Sequence, residues 1–233
     1  MGIWRYLINP FEYVTRGSYK KMEIIAQDHL SKLYARKNIA VIAACYDELK
    51  PLLDTFRTTY AHYTSNKGMY KGSSQYVKEL FSTLREKKVN EWDVLVQVHF
   101  PKYMKQYTML FPNGKAPFQT GMLEERLTAI LTLMETVAHF PELEGLHQNI
   151  STFYEEIRAN RMEQNALKKA EKTLSLELEK QRILLAQTMH AILGQLISLY
   201  RSETEHVEIF YAMKYLKTTP KSKSKKNEED KME

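Results

Sequence analysis

The sequence predicts an all-α protein: an antiparallel helical bundle with two long helical arms and short connecting helices. Three observations predict this class. The 233 residues include only 8 Gly and 7 Pro, too few for the many turns of an all-β fold. Between Gly145 and Gly194 the chain has neither residue type. Leucine, isoleucine and methionine recur there at the three- and four-residue spacing of one helix face.

Composition sets the environment in which this bundle is expected to fold. The chain is 43% hydrophobic, which is enough for a core. The one cysteine, Cys45, cannot form an internal disulfide, so we expect a cytoplasmic protein. No apolar run reaches the ~18 residues that a membrane span needs, so no transmembrane segment is expected. Residues 217–233 contain six lysines and four acids, so they carry +2 of the net charge of +6. The +4 left for residues 1–216 is a smaller positive excess than a dedicated nucleic-acid-binding protein concentrates on one face.

The chain divides into three parts. Residues 1–18 surround Pro10 and Gly17 with aromatic and apolar side chains, and we expect an N-terminal strap that packs on the bundle without a helix of its own. Residues 19–216 form a single helical-bundle domain, whose two halves meet near the Pro- and Asn-Gly-containing turn at 111–118. The Lys-rich residues 217–233 are compositionally disordered.

The elements of the first half follow from spacing and caps. Ser18 caps a helix whose apolar face comprises Met22, Ile25, Ala26, His29, Leu30 and Leu33. A second helix runs from Ile39 to Tyr63, with a kink or break expected at Pro51. Residues 64–74 are predicted to be a loop, and a short helix capped by Ser73 or Ser74 follows. Residues 92–100 could be helix or strand, because valines alternate there.

The second half is predicted to begin with a helix from Gly121 to about Ala138, capped by Thr120. Pro141 opens the next helix, and a polar patch at 160–165 interrupts its apolar stripe. Residues 160–175 could therefore form a turn or part of one continuous helix. Without a turn the helix would fit a projecting coiled coil, and apolar spacing continues from Leu167 to Phe210.

Two Glu-x-x-His motifs are candidate metal sites. They are Glu144 to His147 and Glu203 to His206, and this spacing places two ligands on one helix face. It resembles the spacing in di-iron bundle proteins, although the resemblance covers these two short motifs only. We take Glu203 and His206 as the candidate ligands, with solvated helix-edge residues as the alternative.

Two further clusters have the composition of binding sites. The first is a concentration of tyrosines and lysines: Tyr63, Lys67, Tyr70, Lys71, Lys102, Tyr103 and Lys105. The rings could stack on bases and the amines could neutralise phosphates. Alternatively, the rings are half-buried and the amines are solvated. Lys115 with the helix start at Thr120 and Gly121 could hold an anion, or could be a turn and a cap. Cys45 lies in an apolar run, where burial makes a thiol inert.

These patterns favour a non-enzymatic function. The sequence contains no nucleotide-binding loop and no nucleophile array, so we expect neither a catalytic site nor a cofactor. The extended apolar stripes favour a helical scaffold or protein-interaction module that binds a protein partner or associates with itself into an oligomer. The alternatives are a nucleic-acid-associated protein that uses the tyrosines and lysines, and a di-metal carboxylate bundle protein.

Overall fold

The computed structural model describes residues 8–216. Of these residues, 85% are helical and none lies in a strand, so the predicted all-α class is confirmed. The helices are α1 (Pro10–Thr15), α2 (Tyr19–Tyr34), α3 (Ala40–Thr83), α4 (Val89–His99), α5 (Lys105–Leu110), α6 (Ala116–Gln119), α7 (Leu123–Val137), α8 (Glu144–Leu199) and α9 (Met213–Leu216). A π-helical segment (Leu84–Lys88) joins α3 to α4, and 3-10 helices lie at Pro141–Leu143 and Thr204–Phe210.

The two long helical stretches that the sequence predicts are present. They cover residues 40–99 and 141–199, with 60 and 59 residues. The chain divides into two compact units: the first combines Met1–Tyr63 with Leu174–Glu233, and the second is Thr64–Thr173. The turn at 111–118 lies inside the second unit. A single domain over 19–216 stays a prediction. Residues 1–7 of the strap and the tail at 217–233, for which disorder is predicted, lie outside the described residues.

The first unit has its own hydrophobic core. It is built from α1, α2, the beginning of α3, the end of α8 and the chain after α8, and its fully buried members include Phe11, Met22, Leu53, Phe56, Met189 and Phe210. Ser18 caps α2 as predicted, because its side chain accepts a hydrogen bond from the Lys21 N–H. The predicted apolar face of α2 is buried, including His29.

The strap differs from the prediction, because residues 10–15 form the helix α1. Asn9 caps α1 by accepting hydrogen bonds from the Phe11 and Glu12 N–H groups, and Pro10 occupies the first turn, where its missing N–H costs nothing. Asn9 also donates to the Ala186 carbonyl at 2.9 Å. Arg182, which is 2% exposed, donates to the Glu12 carbonyl at 3.2 Å. The cap and these two contacts hold α1 against α8.

The second unit has a separate core around Trp92. The cluster includes Val77, Phe81, Leu84, Trp92, Phe118, Ile130, Ile150 and Ile157, so the predicted apolar stripe at the start of α8 is buried. Arg126 lies in this core at 9% exposure. Its guanidinium donates to the Phe118 carbonyl at 2.8 Å and to the Phe81 carbonyl at 2.7 Å, which ties α7 to α3 and α6.

One predicted interruption of the long helices is wrong, and a second, which the sequence left open, does not occur. Residues 64–74 are part of α3 and not a loop, and residues 160–175 are part of α8 without a turn. Within the second unit, polar side chains of the two segments donate hydrogen bonds from one helix to the other: Asn66 donates to the Leu167 backbone carbonyl at 3.0 Å, and Gln164 donates to the Ser74 hydroxyl at 2.9 Å. Packing between the helices therefore outweighs the low helix propensity of residues 64–74, which contain two glycines and three serines.

Smaller boundaries also differ. α3 continues on both sides of Pro51, so no break occurs there. Residues 92–99 belong to α4, which settles helix over strand. α7 is capped at Met122, whose N–H donates to the Glu125 carboxylate at 2.8 Å, and not at Thr120, whose hydroxyl donates to the Ala116 carbonyl at 3.0 Å.

Candidate functional site

The helix α4 carries apolar side chains on two faces. Val89, Trp92 and Val96 face the core of the second unit and are 0% exposed. The Trp92 indole N–H donates to the Asn149 side chain at 2.9 Å, which satisfies the one polar atom of that buried ring. The inner face of α4 is therefore fully occupied by packing within the unit.

The opposite face of α4 is exposed. Val94, Leu95 and Val98 are 60%, 47% and 71% exposed. Positions 94 and 98 are four residues apart and 95 and 98 are three apart, so the three side chains form one stripe along the helix. Glu91 lies one turn before the stripe, and we call these four residues the outer face of α4. Single exposed apolar residues need no explanation, but a contiguous stripe is typical of an interaction site.

A shallow hollow opens on this face. It has a volume of about 530 Å³ and is lined by Asn90, Glu91, Val94 and Leu95. Glu91 forms an ion pair with Lys88 at 3.3 Å, on the side of the helix next to the hollow. The apolar stripe thus has a polar edge at its N-terminal end, the arrangement of an interface with an apolar centre and a polar rim.

The underside of α4 is fixed by a buried polar cluster. The Asp93 carboxylate, 4% exposed, accepts a hydrogen bond from the Tyr107 hydroxyl at 2.8 Å and pairs with the Lys115 amine at 3.3 Å. Burial raises the pKa of Asp93, but the hydrogen bonds from Tyr107, Lys115 and Gln97 outweigh it and the net pKa is lowered. Burial and the same hydrogen bond raise the pKa of Tyr107 to about 12. The charged carboxylate therefore holds α4 to Tyr107 on α5 and to Lys115 just before α6.

The predicted anion-binding residues have partners within the protein. Lys115 contacts the Asp93 carboxylate and donates to the Asn90 side chain at 2.9 Å. Gly121 adopts a φ of +92°, and the first turn of α7 is capped by the Glu125 carboxylate. Because carboxylates of the protein already contact the Lys115 amine and the Met122 N–H at the start of α7, the geometry gives the anion hypothesis no support.

The predicted nucleic-acid-binding residues fall into three places. Tyr63 lies in the first unit and is half-buried. Its ring packs edge-on against that of Tyr19, with the ring centroids 5.9 Å apart. Lys67, Tyr70 and Lys71 follow on α3 in the second unit. Lys102, Tyr103 and Lys105 lie where α4 gives way to α5; both lysines are exposed and Tyr103 is 85% exposed.

The predicted metal ligands Glu203 and His206 are adjacent. The His206 Nδ1 lies 2.8 Å from a Glu203 carboxylate oxygen, and both side chains are at least half exposed. Glu144 and His147 lie at the start of α8. Over residues 8–216, no group of three or more His, Cys, Asp or Glu side chains is placed to hold a metal ion. The Glu203–His206 pair would need ligands from elsewhere to bind a metal.

Cys45 is buried, as predicted. Its thiol donates to the Gln195 side-chain oxygen at 3.1 Å, and burial raises its pKa, which disfavours the reactive thiolate. No helix among residues 8–216 has the length and hydropathy to cross a membrane.

The outer face of α4 was not among the sites predicted from the sequence. Its signal was present, because residues 91, 94, 95 and 98 have the spacing of one helix face. The valines at 94, 96 and 98 also alternate as in a strand, which left helix or strand open for this segment. The chain was also compared with protein-family models, with curated proteins and with solved structures, and none of the three comparisons found a match.

Proposed function

We propose that this protein is a non-enzymatic helical interaction module, and that the outer face of α4 binds a second copy of the chain. The observation that carries the proposal is the apolar stripe of Val94, Leu95 and Val98 on a helix whose other face is filled by its own core. Water contact along this stripe is unfavourable, and a facing helix with the same spacing would remove it.

Charge at the two ends of the stripe favours a copy of the same helix in antiparallel orientation. The acidic Glu91 precedes the stripe, and the exposed Lys102 follows it just beyond the end of α4. In a pairing with two-fold symmetry, the same patch of both copies meets, and the two helices run in opposite directions. Glu91 of one copy would then lie near Lys102 of the other, and Leu95 would lie near the two-fold axis.

The rigid anchoring of α4 supports the same proposal. Asp93, Tyr107 and Lys115 hold the helix from below, so that little conformational freedom is lost when the outer face is covered. Preorganisation of this kind lowers the cost of association. A cytoplasmic location, which we also propose, suits a chain whose one cysteine is buried.

The test is the mass of the full chain in solution over a range of concentrations, by light scattering and sedimentation. Wild type should shift from monomer to dimer as the concentration rises. Val98→Asp should weaken dimerisation at least about tenfold, or 1.4 kcal/mol, because a carboxylate would be buried in the interface. Leu176→Asp is the matched control, because Leu176 is 60% exposed on α8 and lies outside the outer face of α4; it should leave dimerisation unchanged.

Two results would contradict the proposal. One is a wild-type chain that stays monomeric at all accessible concentrations. The other is a dimer that Val98→Asp and Leu176→Asp affect equally, which would place the interface elsewhere.

A second candidate function is the binding of single-stranded nucleic acid by the segment between α4 and α5. The observation that favours it is Tyr103, whose ring is 85% exposed between the exposed Lys102 and Lys105. An exposed ring offers a stacking surface, and lysines neutralise phosphates. Binding of a labelled single-stranded oligonucleotide should weaken with salt and with Tyr103→Ala; absence of binding at low salt would remove this candidate.

A further inference from the structure

An apolar groove opens on the first unit, separate from the outer face of α4. It has a volume of about 400 Å³. We call it the unit 1 groove, and its walls come from α1, the end of α8, the 3-10 helix after α8 and α9, with Phe11, Leu193, Ile197, Val207, Met213 and Leu216 among its residues. The groove is thus built where four elements of one unit meet.

The chemistry of the unit 1 groove fits an apolar occupant with one positive charge. Of the described residues that line it, Glu208 alone carries a charge, and Glu208 is exposed. Ile197 is 45% exposed, so part of the apolar wall faces solvent when the groove is empty. An apolar segment in the groove would cover this surface, and a cation beside Glu208 would complement its charge.

The N-terminal residues of this chain have that chemistry and enter at the right place. Residues 1–7 contain Ile3, Trp4, Tyr6 and Leu7, and the one charged side chain among them is Arg5. Pro10 lines the groove, so only two residues separate the segment from its wall. Trp4 precedes Pro10 by six positions, a span of about 20 Å when extended.

The entry point of this segment is fixed. The Asn9 side chain donates to the Ala186 carbonyl at 2.9 Å and caps α1. Residues that precede a fixed point are held at high effective concentration near the groove, and the entropy cost of closing so short a loop is small. Docking within the chain is therefore favoured over docking of a separate molecule.

The segment that follows α9 does not fit the groove. Leu216 lines the groove, so residues 217–233 also begin beside it. They contain six lysines and four acids, and their one large apolar side chain is that of Met232. Placing such a sequence in an apolar groove would remove charges from water without partners.

We propose that residues 1–7 dock in the unit 1 groove of their own chain, with the Trp4 indole against the apolar walls and Arg5 beside Glu208. The groove is then an intramolecular site that completes the core of the first unit. It does not depend on the outer face of α4, so this proposal and the proposed function can fail separately.

The experiment uses the fluorescence of the full chain, which has two tryptophans. Trp92 is 0% exposed and lies in the other unit, so its emission is a constant background. The variant Trp4→Phe contains only Trp92 and therefore gives this background spectrum by itself. The Trp4 signal, taken as the difference, is then examined for emission wavelength and for quenching by acrylamide. Ile197→Asp places a charge in the groove wall. Leu184→Asp is the matched control, because Leu184 is 46% exposed on the same helix but does not line the groove.

The proposal expects the Trp4 signal of wild type and of Leu184→Asp to be blue-shifted and protected from acrylamide. Ile197→Asp should shift it to the red and raise its quenching constant several-fold, with the far-ultraviolet circular dichroism unchanged. The proposal is overturned if Trp4 of wild type is quenched as readily as free N-acetyltryptophanamide, or if the two variants behave alike. A Trp4 signal whose protection is lost on dilution would also overturn it, because the occupant would then be the segment of a second copy.

Discussion

Lowering the pH should destabilise the first unit through one buried histidine, His29. The ring is 0% exposed and stacks on Tyr211 with centroids 4.3 Å apart. Its Nδ1–H donates to the Phe210 carbonyl at 2.8 Å, and Nε2 is buried without a hydrogen-bond partner. Burial lowers the pKa of His29 to about 4, although the bond to Phe210 and the charge of Asp28 act in the opposite direction. The folded protein therefore holds this side chain neutral.

The size of the effect follows from the difference between the folded and unfolded pKa values. The unfolded value is 6.5 and the folded value about 4, so between these values the unfolded chain binds more protons. Stability from this group is complete above pH 6.5 and is lost as the pH falls toward 4. At ~1.36 kcal/mol per pKa unit, the full difference corresponds to about 3 kcal/mol, and most of it is lost by pH 4.5.

The assay is urea unfolding of wild type and of His29→Asn at a series of pH values from 7.5 to 4.5. Asparagine retains a donor that can reach the Phe210 carbonyl but does not titrate in this range. Other groups titrate equally in both proteins, so the difference between the two curves isolates His29. The free energy of unfolding of wild type should fall by about 2–3 kcal/mol more than that of His29→Asn. Parallel curves, or an NMR titration of His29 with a pKa near 6.5, would refute the reasoning.

Two other substitutions test the second unit. Arg126→Ala should lower the free energy of unfolding, measured in urea, by about 3 kcal/mol, because two buried carbonyls lose a charged donor. Arg158→Ala is the control: Arg158 belongs to an exposed ion pair, so this change should alter the free energy of unfolding by less than about 0.5 kcal/mol. Equal effects of the two variants would contradict the role given to Arg126. Tyr107→Phe should lower the free energy of unfolding by about 1–2 kcal/mol. It should also raise the pKa of Asp93, as measured by NMR, because the carboxylate loses a hydrogen bond of 2.8 Å. An unchanged Asp93 titration would show that this bond does not stabilise the charged carboxylate.

Local sequence signals predicted the parts of the fold that depend on neighbours along the chain. The Ser18 cap depends on an N–H three residues away, and the buried stripe at the start of α8 depends on helical spacing alone. The segment 64–74 was different. Its glycines and serines favour a loop by themselves, and its place in a helix depends on partners such as the Leu167 carbonyl, 101 residues from Asn66. Spacing along the chain carries no information about such a partner.

The candidate sites divide in the same way. That Lys115 is bound to Asp93 could not be read from its position before a helix start, because Asp93 lies on another helix. The exposure of Val94 and Val98 depends on which face of α4 meets the core, and the large Trp92 decides that. Once Trp92 is inside, geometry requires the residues two positions from it to face away.

The most direct test of the central claim, that the outer face of α4 meets a second copy of itself, is disulfide formation at Leu95. This residue lies near the axis of the proposed antiparallel pair, and the native Cys45 is buried, so it does not compete. Two thiols form a disulfide when their Cβ atoms approach to about 4 Å. Under mild oxidation Leu95→Cys should give a covalent dimer, and Leu176→Cys, on an exposed position of α8, should stay monomeric. No dimer from Leu95→Cys, or equal dimer from both variants, would contradict the claim.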